Sequence, residues 1–152
     1  MRLARMAAVA LALMATACLD TTDPNANNGP PPMSATIEGT EWHATGVLVT
    51  PTETSITLGA SNEASNAAMS IGIAGTGPGT YPLGPTSASN GFVAVTTGQV
   101  WSTLGAGGSG TIVVTTFANR HIAGTFNFTA VPSMGDAVGN VHVTDGKFDF
   151  TY

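Results

Sequence analysis

From residue 34 onward, apolar and polar residues alternate with a period of two, in short runs broken by Gly, Pro, Asn and Asp. That period puts successive side chains on opposite faces of a strand. The clearest run is 121–131 (HIAGTFNFTAV), where Ile122, Gly124, Phe126, Phe128 and Ala130 share one face and Thr125, Asn127 and Thr129 the other. The β-branched run 110–117 (GTIVVTTF) precedes it. A three-residue connection at Ala118-Asn119-Arg120 sets Ile112 opposite Phe126 and Val114 opposite Gly124, so both apolar sets lie on one side. Glu38-Gly39 predicts a turn that pairs Ala35 with Trp42 and Ile37 with Thr40. Asp145-Gly146 predicts a two-residue hairpin that pairs Val143 with Phe148 and Val141 with Phe150, because both central positions of such a turn need positive φ. Further strands are expected at 46–50, 55–60, 68–73, 80–83, 91–97 and 99–104. The pattern therefore predicts an all-β fold, an antiparallel sandwich or barrel-like meander of about ten short strands. No fixed-period repeat and no second domain are visible.

The first 33 residues break the alternation. Arg2 and Arg5 precede an apolar run of nine residues, 6–14 (MAAVALALM). A spanning helix needs roughly 20 such residues, so this run reads as the core of a signal peptide. Ala15-Thr16-Ala17-Cys18 resembles a bacterial lipobox, in which the Cys18 thiol is acylated and the cysteine becomes the first residue of the mature chain. Cys18 is the only cysteine. The alternative is plain secretory cleavage after Ala17, which releases a secreted or periplasmic protein. Leu19, rather than Asp, follows Cys18, which favours the outer membrane over retention in the inner one. Residues 19–33 contain four Pro and three Asn and almost nothing apolar. They read as a tether with a reach of about 50 Å. The expected organisation is a signal peptide at 1–17, lipidated Cys18 and tether at 18–33, and one β domain at 34–152.

Composition narrows the partners. Charged residues make up only 9% of the chain, against roughly 25% in typical soluble domains. The 23 Thr and 19 Gly take their place, suited to a half-wet pleated surface and to tight turns. After cleavage only Arg120 and Lys147 remain against nine acidic side chains, a net of −7. A phosphate-backbone binder needs clustered bases to displace counterions, so nucleic acid is excluded as a partner.

The chemistry-bearing residues are sparse. The predicted 145–146 hairpin sets His142 opposite Asp149, either as an acid–base or metal-ligating pair or as a solvent-side cross-strand pair. Glu41 and His43 point one way from one strand and would join them if the first and last strands meet. A hydrolase or metal-binding domain using His43, His142 and nearby carboxylates is therefore the alternative function. Against it, no zinc-type spacing is present, and Asp136, Asp145 and Asp149 form no Asp-rich calcium loop. Gly107-Gly108-Ser109-Gly110-Thr111 approaches a nucleophile elbow, but Thr111 stands where a Gly is needed and no helix follows. Gly75-Thr76-Gly77-Pro78-Gly79 lacks the helix that a phosphate loop requires. No catalytic residue, metal ligand or cofactor is assigned. Trp101 and Tyr81 are the candidate binding residues, as exposed rings on a β surface or as core.

The order Ile37-Glu38-Gly39-Thr40-Glu41-Trp42-His43-Ala44, Gly79-Thr80-Tyr81-Pro82-Leu83, Gly110-Thr111-Ile112, then 122–130 (IAGTFNFTA) and Gly146-Lys147-Phe148 resembles a family of small uncharacterised bacterial lipoproteins. The resemblance covers nearly the whole of 34–152. It implies a lipoprotein with an all-β domain of unknown function and supplies no active site. Taken together, the sequence predicts a lipid-anchored protein of the cell envelope with a non-enzymatic binding or structural β domain. Its partners would be the membrane, through the lipid, and a glycan, a small apolar ligand or an envelope protein.

Overall fold

The computed structural model describes residues 30–152. The expected signal peptide, Cys18 and the tether up to residue 29 lie outside the described residues. Eleven strands form one antiparallel sheet that curls into a half-barrel, with no helix among the described residues. In chain order they are β1 (Met33–Ile37), β2 (Thr40–His43), β3 (Gly46–Pro51), β4 (Ile56–Asn62), β5 (Ala67–Ile73) and β6 (Gly79–Leu83). Then come β7 (Asn90–Val95), β8 (Val100–Ser102), β9 (Ser109–Ala118), β10 (His121–Met134) and β11 (Val141–Thr151). Neighbours run β2-β1-β11-β10-β8-β7-β5-β4-β3, with β9 on β10 and β6 on β9.

Two long segments curl the sheet. β10 pairs through Thr129 with β9 and from Val131 onward with β8. The stretch Thr40–Pro51 bends at Ala44-Thr45, so that its first half pairs with β1 and its second with β4. At that corner Ala44 N donates to Met33 O (2.9 Å) and Thr45 N to Ser61 O (2.8 Å), which brings the two ends of the strand path together. β1 starts at Met33, whose side chain is fully buried.

The concave face is packed with the apolar half of each alternating run. Phe126, Phe128, Phe148 and Phe150 form a ladder with ring centroids 6.1, 6.3 and 6.5 Å apart. Ile56, Leu58, Ile71, Ile112 and Ile122 are fully buried beside them. Burying each such side chain contributes about 1.5–3 kcal/mol. Thr103, also fully buried, satisfies itself, with its Oγ1 accepting the Gly91 N–H at 3.0 Å and its own N–H donating to Gly91 O.

The Glu38-Gly39 turn has φ of 49° and 78° and pairs Ala35 with Trp42 and Ile37 with Thr40, as the sequence predicts. Between β9 and β10 the expected register is present, with Ile112 opposite Phe126 and Val114 opposite Gly124. Its cause differs from the expectation. The turn is the two-residue Asn119-Arg120, both at positive φ, and an irregularity at Thr115 restores the register. Thr115 Oγ1 there donates to Ala123 O at 3.1 Å.

At 145–146 the structure overturns the predicted hairpin. β11 runs straight through, paired with β10 from Ala130↔Val141 to His121↔Thr151. Asp145, at φ 53°, is a bulge in that strand, marked by register shifts against both β10 and β1. The extra residue flips the alternation, so Val141 and Val143 before it and Phe148 and Phe150 after it all face the core. His142 and Asp149 are therefore seven residues apart on one strand, opposite Thr129 and Ala123 respectively.

Candidate functional site

A recess of about 540 Å³ lies on the outer face of β3, β4, β5 and β7. Strand register builds it. One row across the sheet reads Leu48, Gly59, Ser70, Phe92. The next reads Gly46, Ser61, Ala68, Ala94. Small residues form the floor, Leu48 on the edge strand forms one wall and Phe92 the other. At about 4.8 Å per strand the walls stand roughly 14 Å apart. A second recess of about 230 Å³ shares Ser61, Ala68 and Ala94 and runs on to Glu63, Asn66 and Thr96 at the strand ends. The two form one groove, apolar along its length and acidic at its tip.

The candidate residues of the sequence lie elsewhere. Trp101 sits in β8 with 9% of its surface exposed, and its Nε1–H donates to Gly139 O at 3.0 Å. Tyr81 in β6 is half-buried, and its OH donates to Gly77 O at 2.7 Å. Both rings brace neighbouring loops.

The first and last strands do meet, as β1 against β11. The four groups of the hydrolase or metal-binding alternative nonetheless do not converge on one place. His43 lies 3.9 Å from Glu41 on the edge strand β2. His142 Nδ1 meets Thr129 Oγ1 at 3.1 Å, and Glu38 accepts the backbone N–H of His142 rather than facing its ring. A recess of about 140 Å³ beside His142 also holds Ser109 and Thr144. Asp149 pairs with His121 at 2.7 Å, a contact missed in the sequence because the hairpin was expected to turn Asp149 toward His142. Among the described residues, no three His, Cys, Asp or Glu side chains come together in an arrangement that could hold a metal ion.

The groove carried a signal in the sequence. Gly59, Ser61, Ala68, Ser70, Gly72 and Ala94 occupy outward positions where a solvent face would ordinarily carry longer polar side chains. Small residues on adjacent outer positions leave a hollow once the strands align.

A family model described as a domain of unknown function, DUF6252, matches residues 29–150. The chain belongs to this family. The match spans the β domain and does not reach Cys18. Neither curated proteins nor solved structures give a match to the chain.

Proposed function

We propose that this DUF6252 protein is a lipid-anchored protein of the cell envelope whose β domain binds a partner without chemically transforming it. One observation carries the binding half. The concave side is filled with packed side chains, and the outer-face recess of about 540 Å³ is walled by Leu48 and Phe92 with no ionisable group among its lining residues. Catalysis of acyl or glycosyl transfer calls for acid, base or nucleophile in mutual reach within a cleft. Here those groups stand in separate exposed pairs. An uncharged hollow with one aromatic and one aliphatic wall suits recognition by shape and apolar contact.

The anchoring half rests on Ala15-Thr16-Ala17-Cys18 behind a short apolar run. Several acyl chains on one residue hold firmly, since each buried methylene contributes about 0.8 kcal/mol. The outer membrane is the proposed site, with a secreted or periplasmic form as the alternative.

Two measurements test the halves separately. Metabolic labelling with palmitate should mark the wild-type chain and not Cys18→Ser; an unlabelled wild type refutes the anchor. Affinity capture from envelope extracts should enrich a protein or glycan over a Phe92→Ala control, and equal recovery on both refutes the binding groove.

A further inference from the structure

The sheet presents three edge strands among the described residues, and they are guarded unequally. β2 is four residues long and carries Glu41 and His43. β6 contains Pro82, which has no N–H to offer, and its Leu83 already bridges to Ser89. β3 (GVLVTP) has no charge, and its register with β4 runs unbroken from Gly46 to Pro51, the only proline standing at its end. Val47 and Leu48 on it are 44% and 67% exposed. Charges, internal prolines and bulges are the usual means of keeping an edge from pairing with another chain. β3 lacks all of them.

We infer that β3 is a docking edge, and that its occupant is an extended segment of a partner protein with apolar residues flanked by lysine or arginine. The inference rests on the binding half of the reading above and is independent of the anchor. An added strand takes main-chain hydrogen bonds from the open side of β3, while alternate side chains fall beside Leu48 on the outer face and beside Val47 on the inner. Those beside Leu48 extend the wall of the groove.

Charge selects the occupant. Residues 30–119 contain no Lys or Arg at all. Exposed Glu53 follows the end of β3, and exposed Glu63 follows β4 beside the start of β3, where Gly46 pairs with Ser61. An exposed carboxylate thus stands near each end of β3, Glu53 in the connection to β4 and Glu63 just past the end of β4, and these attract basic flanks. The same carboxylates disfavour a second copy, because antiparallel pairing of two β3 strands brings Glu53 of each toward Glu63 of the other.

The test titrates the full-length chain in detergent with a synthetic peptide of alternating valine and threonine flanked by lysines, and with its glutamate-flanked counterpart. At low salt the lysine-flanked peptide should bind at least about tenfold more tightly. It should slow amide exchange in β3 and leave β2 and β6 unchanged. Leu48→Lys should weaken it at least about tenfold, whereas Val138→Lys on a distant exposed loop should not. No binding by either peptide up to about 1 mM, equal binding of the two, or protection of β2 or β6 instead overturns the inference. A concentration-dependent dimer protected at β3 overturns it too, and assigns the edge to a second copy. If the peptides fail while capture still depends on Phe92, only this inference falls and the broader reading stands.

Discussion

Adding one methyl group at Gly146 is expected to destabilise the protein by about 2–3 kcal/mol. A Cβ there would lie 2.5 Å from Cδ2 and Cε2 of Phe126 and 2.5 Å from the Phe126 carbonyl oxygen. Relief needs a movement of about 1 Å, since carbon rests at roughly 3.5–4.0 Å from its neighbours. The oxygen belongs to β10, held by ladders to β9 on one side and β11 on the other, so it has little freedom to yield. The ring is 2% exposed and stacked between Phe128 and Phe148. Gly39→Ala is the matched comparison. Gly39 has φ 78° in a true hairpin turn, with nothing within 4 Å of the added Cβ, so only the backbone cost of about 1 kcal/mol applies. Urea unfolding followed through the fluorescence of buried Trp42 and Trp101 measures both variants. With a slope of about 2 kcal/mol per molar urea, the midpoint should fall by about 1–1.5 M for Gly146→Ala and about 0.5 M for Gly39→Ala. Equal shifts, or a cost below about 1 kcal/mol at Gly146, would refute the bulge and restore the hairpin.

Three further outcomes follow from the packing. Trp42 Nε1 is buried with no hydrogen-bond partner among the described residues, whereas Trp101 Nε1 donates to Gly139 O. Trp42→Phe should therefore destabilise less than Trp101→Phe by about 1–2 kcal/mol in the same titration, with equal losses refuting the assignment. Thr103→Val keeps the shape of the side chain but strips the Gly91 N–H of its hydroxyl acceptor, at an expected cost of about 1–3 kcal/mol by thermal or urea unfolding. Asp149→Ala should change stability by under about 1 kcal/mol, because the carboxylate is 72% exposed and the His121 pair is solvated; a larger loss would mean the pair holds β10 to β11.

The all-β class, the turn at Glu38-Gly39 and the inward set from Ile122 to Ala130 were legible in the sequence, because alternation and turn residues are local properties. The same alternation was blind at Asp145-Gly146. A two-residue hairpin and a one-residue bulge both reset the parity of the strand, so Val141, Val143, Phe148 and Phe150 share a face under either. Only the competing ladders to β1 and β10 decide between them, and those involve residues about a hundred and about twenty positions away. The ionisable pairs depended on that choice, which is why Asp149 stands with His121 and His142 with Thr129. The groove between Leu48 and Phe92 was likewise written as isolated Gly, Ser and Ala positions, and became a surface only when β3, β4, β5 and β7 came into register. The expectation of a signal peptide and of lipidation at Cys18 rests on local sequence alone and falls outside the described residues. Where a strand ends, and which edge it leaves open, was settled by the closure of the sheet, because a strand's partners are fixed by what it lies beside and not by what it is made of.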